Sequence, residues 1–333
     1  MSHVPVLMDE VLTALAPMDG EKYIDATFGA GGYSHAILNE ANCHVTGLDR
    51  DPNVEPHVKA LRCKFPDRFS FVNIEFSEME AAVNNHKQDG VVLDVGVSSM
   101  QIDQGERGFS FMKDGPLDMR MSTQGVCAAD VIKHCEHKEL VEIFKVYGEE
   151  RHAKRCAEYI IRARVISPIT TTETLAKIME SALGRSGKNH PATRVFQALR
   201  IYVNDELGEL YNALLAAERI LKPGGRLVVV SFHSLEDRLV KSFLRIRIGD
   251  IASVSRHVPV QVQDEIAASF TLIKRSTVKA RKSEIESNPR SRSARLRTGI
   301  RTSAVVWCAG NLAVGNAALK TAPSLEALAA RIT

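Results

Sequence analysis

Three kinds of feature are missing from this sequence. Its six cysteines form no C-x-x-C pair, which argues against both a zinc knuckle and a disulfide framework. No stretch approaches the apolar length of a membrane helix, and the N-terminus lacks a basic region followed by an apolar run. Clustered histidines and a cysteine beside a general base are also lacking, so metal and covalent catalysis are not indicated. We therefore expect a cytoplasmic protein that needs no metal.

One glycine is missing from a glycine-rich turn in residues 23–34, where a short apolar strand is followed by the start of a helix. A turn that binds a pyrophosphate has the pattern G-x-G-x-x-G. When this pattern is started at Gly29, its third glycine is replaced by Ser34. Asp25, inside the first strand, is an unfavourable neighbour for a diphosphate but suits an ammonium group. The turn therefore favours S-adenosylmethionine over a nicotinamide dinucleotide. A glycine-rich β-turn with a buried capping Asp is the alternative.

Predicted strands and helices alternate through the first 96 residues. The apolar run 90–96 is typical of a parallel strand that is buried on both faces. This alternation predicts a doubly wound, mostly parallel sheet, which binds ligands outside the carboxyl ends of its strands. Asp49 ends the second strand about 20 residues beyond the turn, where an acid can accept hydrogen bonds from a ribose.

The strand pattern stops near residue 105, and helices predominate up to residue 205. We interpret this segment as an inserted helical substrate-recognition domain, beyond which further strands are expected at 226–231, 270–275 and 303–308. The predicted organisation is a first core part (1–104), the insert (105–205), a second core part (206–310) and a C-terminal extension without an assigned role (311–333).

Positive charge is concentrated between residues 274 and 301. This segment carries ten Lys or Arg and only two Glu, in a chain whose total net charge is +3. Basic segments commonly bind phosphate backbones. A solvated, flexible loop is the alternative, because the segment has no aromatic residue for base stacking. We predict an irregular basic arm that contacts RNA through Arg290, Arg292 and Arg295.

Polar residues follow the fourth predicted strand. A carboxylate and two hydroxyls, those of Asp94, Ser98 and Ser99, can position a nucleophile by accepting hydrogen bonds. The exocyclic amine of a base is a weak nucleophile because its lone pair is delocalised into the ring, so positioning and desolvation matter more than a strong base. We predict that Asp94 orients such an amine, with the two serines as further candidates; capping of the next loop is the alternative for Asp94.

Arginines of the insert are candidates for RNA contact. Arg107 and Arg120 lie in a loop broken by Gly and Pro, with Phe and Met residues that could stack on a flipped base. Arg194 follows His190-Pro191 at a helix start, where it could meet a phosphate. Packing or capping inside the protein is the alternative for all three, and His233, after the fifth strand, is more often a structural residue.

With these residues assembled, the chain closely resembles the bacterial small-subunit rRNA (cytosine-N4)-methyltransferase family, RsmH or MraW. The run Asp-Gly-Pro-Leu-Asp-Met-Arg-Met at 114–121 and the run Phe-His-Ser-Leu-Glu-Asp at 232–237 are specific to it. The other matching motifs lie at 3–7, 27–34, 48–51, 93–99, 107–112, 147–151, 190–194 and 288–292.

The resemblance implies a Rossmann-like class I core that depends on S-adenosylmethionine and carries an inserted helical domain. It implies methyl transfer to N4 of one cytidine in the decoding centre of 16S rRNA, within the 30S subunit. The family's cofactor contacts fall on Gly31, Gly32, Tyr33, Asp49, Phe76, Asp94 and Gln101. Tyr33 stands where the family usually has His, so cofactor affinity differs if the ring makes that contact.

Other functions on the same core stay open from the sequence. These are a methyltransferase for another acceptor and a non-catalytic RNA-binding assembly factor; a nicotinamide enzyme is disfavoured by the broken glycine pattern. The sequence does not identify the group that takes the amine proton, and it leaves a homodimer open.

Overall fold

The computed structural model describes residues 5–122, 124–185, 190–250, 267–274, 276–307 and 324–332, without the side chains of Ser99 and Met100. The chain forms two compact units. The core unit comprises Met1–Gly96 and Glu209–Gly315, and the helical unit comprises Val97–Gly208 and Asn316–Thr333. No helix of the described part of the chain is long and apolar enough to span a membrane.

The core unit is built on one mixed sheet. Its strands are β1 (Lys22–Asp25), β2 (His44–Asp49), β3 (Phe69–Asn73), β4 (Gln88–Asp94), β5 (Leu221–Ser231), β6 (Phe270–Leu272), β7 (Val278–Lys279) and β8 (Arg295–Arg301). The spatial order is β3-β2-β1-β4-β5-β8-β6, and β7 pairs with β8. The first five strands are mutually parallel, whereas β8 runs antiparallel to β5, β6 and β7. Apart from β8 this is the order of a doubly wound sheet, and the predicted Rossmann-like class I methyltransferase core is confirmed.

Helices connect these strands and form the second unit. In chain order they are α1 (Met8–Leu15), α2 (Gly32–Glu40), α3 (Glu55–Lys64), α4 (Met79–Ala82), α5 (Ser99–Asp103), α6 (Ala128–His134), α7 (His137–Val146), α8 (Ala153–Ile166), α9 (Thr172–Leu183), α10 (Thr193–Val203), α11 (Glu206–Ile220), α12 (Ser234–Arg247), α13 (Lys282–Ser287) and α14 (Leu325–Ile332).

Strand β4 lies in the centre of the sheet and is buried on both faces. Val91, Val92 and Leu93 have no exposed surface, which is what a continuous apolar run between two helical layers requires. On one face this strand packs with Leu227 of β5 and Leu214 of α11 in a single apolar cluster. Burial of these apolar side chains stabilises the sheet. The ends of the strands, and the residues that follow them, are therefore held in fixed positions.

A buried ion pair joins α11 to α12. Glu218 and Arg247 both have fully buried side chains, and Nε of Arg247 donates to Oε2 of Glu218 over 2.6 Å. The second oxygen of Glu218 accepts from Oγ of Ser269 at 2.6 Å. The Arg247 guanidinium also lies 4.7 Å from the ring centroid of Phe243 and 5.2 Å from that of Trp307. Because neither side chain is exposed to solvent, each charge depends on the other for its stabilisation.

The end of the sheet differs from the expectation. Strand β6 lies within the predicted 270–275, where Arg275 falls outside the described residues, but the strand predicted at 303–308 is wrong: residues 303–307 are not in a strand, and Cys308 is not described. The last strand among the described residues is β8, inside the segment that we expected to be an irregular arm. Leu296 and Thr298 are buried in it, and the charged residues alternate with them, so the segment has the period of two of a strand.

The basic segment 274–301 is therefore largely ordered within the core unit. Besides β8 it contains β7 and α13. The prediction of an irregular arm is wrong for these elements, because the alternation of charged and apolar residues outweighs the high charge.

The helical unit contains α6 to α10, in agreement with the prediction that helices predominate between residues 105 and 205. Each buries one apolar stripe; in α7 the fully buried residues are Leu140, Ile143 and Phe144. Helix α14, from the C-terminal extension, also belongs to this unit. Its Leu328 is 1% exposed, and Nη1 of Arg331 donates to Glu139 of α7 over 3.0 Å. The extension, to which the sequence assigned no role, thus supplies a helix to the apolar core of this unit.

Candidate active site

The glycine turn between β1 and α2 is held in a conformation that only glycine accommodates. Gly31 precedes α2 with a φ of 76°, and a Cβ there would lie 2.7 Å from Cζ of Phe28. A Cβ on Gly32 would lie 2.2 Å from Cγ of Pro5. Both glycines are therefore required by packing, because the side chains of Phe28 and Pro5 occupy the space that a Cβ at these positions would need.

Asp25 fixes this turn from inside the protein. Its carboxylate accepts hydrogen bonds from the backbone N and the Oγ of Ser34, over 3.0 and 2.7 Å. The residue is completely buried. Burial raises the pKa of Asp25 to about 6, even though the bonds from Ser34 and Thr27 oppose that rise. Asp25 thus positions the start of α2, and its contact with a cofactor stays a prediction.

The raised pKa of Asp25 makes the stability of the ligand-free protein depend on pH. A carboxyl that holds its proton more tightly in the folded state favours folding in acid, so the free energy of unfolding should fall as the pH rises from about 4 through about 6. Asp25 contributes about 3 kcal/mol to that fall, because its pKa rises from the ordinary 3.8 to about 6 in the folded protein. Urea unfolding of the ligand-free protein across this range should show the decline, and Asp25→Asn should reduce its slope. The same slope in the variant and the wild type would contradict the assignment, and Asp67→Asn, at an exposed position, is the control.

Asp49 lies at the end of β2 and supports the turn from the other side. Its Oδ2 accepts from the backbone N of Gly29 at 2.8 Å, and its Oδ1 accepts from that of Asp51 at 2.9 Å. Burial raises its pKa. A carboxylate has about four lone-pair sites, so each oxygen of Asp49 retains one for a further donor. Phe76 is half-buried after β3 and packs against the apolar core.

The side chain of Tyr33 points into the protein. The residue is 4% exposed, and its hydroxyl donates to the backbone carbonyl of Val6. Burial first, and then the carboxylates of Asp94 and Asp25, raise its pKa well above the ordinary value for tyrosine. A contact between Tyr33 and a cofactor would therefore come from its backbone, so the replacement of the family's usual His is compatible with that contact.

Asp94 ends β4 and carries a carboxylate oxygen that is sealed from solvent. Its Oδ1 has no hydrogen-bond partner among the described residues. Its backbone N donates to Oγ1 of Thr27 at 2.7 Å, which places it beside the glycine turn. Burial first, and then the charges of Asp25 and Glu236, raise the pKa of Asp94 well above the ordinary value. Since a buried acceptor without a donor is costly, this oxygen is suited to a ligand that brings an N–H group or a positive charge.

Glu236, which the sequence interpretation did not single out, organises the neighbouring strand end. It is 1% exposed, and its Oε2 accepts from the backbone N of Phe232 at 2.8 Å and of His233 at 3.1 Å. Its Oε1 lies 2.9 Å from Nε2 of His233. The sequence does carry a signal for this role. Glu236 is the third residue of α12, and a Glu at that position can accept a hydrogen bond from the backbone N of the residue before the helix, in a capping box.

Ser98 and Gln101, two of the predicted site residues, form reciprocal hydrogen bonds in the helical unit. The backbone N of Ser98 donates to Oε1 of Gln101 at 3.0 Å, and the backbone N of Gln101 donates to Oγ of Ser98 at 3.2 Å. This reciprocal pair begins α5. The cofactor contact of Gln101 and the roles of Ser98 and Ser99 stay predictions, and the side chain of Ser99 lies outside the described part of the structure.

The candidate arginines of the helical unit each have a partner within that unit. Arg107 donates to the carbonyls of Arg120 and Met121, at 3.1 and 3.0 Å. Arg120 forms a two-pronged pair with Asp118, and Arg194 donates to the carbonyl of Glu149 at 3.0 Å. The packing alternative is therefore present for all three, and their contact with RNA stays a prediction.

The candidate arginines of the basic segment are more accessible. Arg290 and Arg292 are exposed, and 43% of the Arg295 side chain is exposed although it pairs with Asp237. The structure thus brings the core-unit candidates together at the carboxyl ends of β1, β2 and β4, with the basic candidates near β5 and β8.

Comparisons of the sequence with known proteins identify the family of this chain. The family model described as the MraW methylase family matches residues 1–301. The chain is 53% identical over 309 residues to "Ribosomal RNA small subunit methyltransferase H" of Maricaulis maris, covering 92% of each chain. It is 54% identical to the protein of the same name from Brucella anthropi, covering 90% of this chain and 87% of that one. A crystal structure of an rRNA methylase from Streptococcus thermophilus has a TM-score of 0.39 at 8% identity, with 89% of this chain and 93% of that one covered. By sequence, this chain belongs to the MraW methylase family.

Proposed function

We propose that this protein is an S-adenosylmethionine-dependent methyltransferase that acts on the RNA of the small ribosomal subunit. Its acceptor is N4 of a cytidine in the decoding centre of 16S rRNA. The observation that carries the proposal is the buried Oδ1 of Asp94 beside the glycine turn, which has no hydrogen-bond partner among the described residues. The chain is also more than half identical to named small-subunit rRNA methyltransferases.

The residues at the ends of β1, β2 and β4 fit this cofactor. Beside the glycine turn, Asp49 has acceptor capacity left for ribose hydroxyls. Phe76 offers an apolar surface after β3. S-adenosylmethionine, when bound, supplies an electrophilic methyl group on a positively charged sulfur. An acid such as Asp94, whose pKa is raised by burial and by two neighbouring carboxylates, is suited to such a charge.

Asp94 orients the acceptor. Its Oδ1 accepts a hydrogen bond from the cytosine amine and thereby fixes the direction of the nitrogen lone pair, which is the main task with so weak a nucleophile. Glu236 keeps the adjacent strand end in place through the backbone of Phe232 and His233. The proton that the amine loses passes to solvent.

The assembled 30S subunit is the proposed substrate. A cytoplasmic location is part of this proposal, because the proposed acceptor is ribosomal RNA. The candidate arginines of both units, namely Arg107, Arg120, Arg194, Arg290, Arg292 and Arg295, are the proposed RNA contacts, and a homodimer is compatible with the proposal.

The test is incubation of the protein with methyl-labelled S-adenosylmethionine and unmethylated 30S subunits, followed by nucleoside mass spectrometry of the RNA. Labelled N4-methylcytidine is the expected product, and 30S subunits that already carry this modification are the control. Free 16S rRNA in a parallel reaction decides whether assembly is required. Label in another nucleoside would overturn the acceptor, and bound cofactor without transfer would indicate a binding factor instead of an enzyme.

A further inference from the structure

A basic cavity lies in the core unit at the carboxyl end of β5. Its volume is about 230 Å³, several times the roughly 30 Å³ that a water molecule occupies in the liquid. It is lined by Phe232 and His233 after β5, by Lys279 of β7, by Arg292 and Ser293, and by Arg295 of β8.

The cationic side chains of this cavity lack sufficient acidic partners. Among the described residues neither Lys279 nor Arg292 has an ion pair, and both are exposed. Arg295 pairs with Asp237 at 2.9 Å, but Asp237 also pairs with Arg297 at 2.7 Å. Burial alone would raise the pKa of Asp237, yet the two guanidiniums outweigh it and lower that pKa. One carboxylate is thus shared by two arginines, and the cavity retains excess positive charge.

Two of these cations face each other within the sheet. Lys279 and Arg295 are direct cross-strand partners in the antiparallel pair of β7 and β8, and both line the cavity. Like charges at opposite positions destabilise such a pair. An anion bound between Lys279 and Arg295 would replace this repulsion by two attractions. Binding of an anion therefore explains why two cations face each other here, which packing alone does not.

The position of the cavity in the sheet indicates which anion it takes. In the order β2-β1-β4-β5-β8, the glycine turn and Asp49 lie on one side of Asp94, at β1 and β2. The basic cavity lies on the other side, at β5 and β8. The first side belongs to the proposed cofactor, so the second is left for the acceptor strand.

We propose that the basic cavity binds a backbone phosphate of the RNA strand, close to the nucleotide that accepts the methyl group. Arg292, Lys279 and the free edge of Arg295 hold the phosphate oxygens. This inference rests on the proposed function for the source of the phosphate. It adds Lys279 to the residues of the basic segment, Arg290, Arg292 and Arg295, that the sequence predicts as RNA contacts.

The experiment measures binding to unmethylated 30S subunits at graded KCl concentrations. The variant Lys279→Gln/Arg292→Gln should reduce the slope of log Kd against log salt by about 0.7, the value for one lost phosphate contact with single-stranded RNA. Its Kd at about 0.15 M salt should be weaker by about fourfold. Lys59→Gln/Lys241→Gln removes the same charge from exposed positions of α3 and α12 that do not line the cavity, and its slope should stay close to that of the wild type. Arg292→Lys should also retain most of the slope.

The outcomes separate this inference from the proposed function. Equal slopes for the two double variants would overturn the phosphate site, whether or not the wild type methylates RNA. A weakened Kd for S-adenosylmethionine in the cavity variant, measured by calorimetry, would also overturn it, because the anion would then be the cofactor's carboxylate. Absence of methyl transfer by the wild type would overturn the proposed function alone, since the binding measurement does not need transfer. Both substituted side chains are exposed, and a thermal midpoint within a few degrees of the wild type verifies folding.

Discussion

Asp94→Ala should lower methyl transfer to 30S subunits by about 10²–10³-fold at saturating substrates, the range in which loss of one positioned polar group falls. The sealed Oδ1 is the acceptor that orients the amine in the proposed reaction. Turnover of labelled methyl groups measures the loss. Asp67→Ala, at an exposed position before β3, should be indistinguishable from the wild type in the same assay.

Stability distinguishes this role from a structural one. Because burial and two neighbouring carboxylates raise the pKa of Asp94, the folded protein does not gain from ionising it. Asp94→Ala should therefore leave the thermal midpoint at neutral pH unchanged or raise it. Turnover within a few-fold of the wild type, or loss of activity that merely parallels unfolding, would show that Asp94 has no part in orienting the acceptor.

Glu218→Ala should lower the free energy of unfolding by about 3–5 kcal/mol, the usual cost of removing one partner of a buried ion pair. The variant leaves the fully buried Arg247 without its carboxylate, and it also removes the acceptor of Ser269. Urea denaturation is the measurement. Arg245→Ala, which breaks the exposed pair of Arg245 with Asp250, is the matched control and should cost no more than about 1 kcal/mol.

A double variant tests the reason for that loss. If the cost comes from an uncompensated buried charge, Glu218→Leu/Arg247→Met should recover most of the stability, because an apolar pair of similar volume replaces both charges. A double variant as unstable as Glu218→Ala would show that shape and the bond to Ser269 matter more than charge. A cost of Glu218→Ala below that of Arg245→Ala would contradict the importance of the pair.

Local signals made the first half of the core unit predictable. The turn at Gly31 and the acids Asp49 and Asp94 lie at fixed places relative to short apolar strands, so a sequence shows them without knowledge of the fold. Strand β8 was missed because its charged residues were given more weight than their alternation with Leu296 and Thr298. That alternation places the apolar side chains in the core and leaves Arg295 half-exposed.

Side-chain contacts between residues that are far apart in the chain could not be predicted from the sequence. Glu218 and Arg247 are 29 residues apart, on two helices whose facing sides depend on the whole sheet. The juxtaposition of Lys279 with Arg295 depends on the register of β7 against β8. Glu236 carried a capping signal, but its proximity to Asp94 follows from the pairing of β4 with β5.

That pairing of β4 with β5 has a consequence for how the protein is made. The two strands are neighbours in the sheet, yet the chain must extend through residues 95–220 before β5 is synthesised. At about 5–20 residues per second this takes on the order of 10 s. Throughout that interval the nascent β4 presents unpaired N–H and C=O groups along one edge, which is a template for pairing with other chains. We expect refolding of the core unit to be slow and limited by this long-range contact, and aggregation during synthesis to be most sensitive to substitutions on β4.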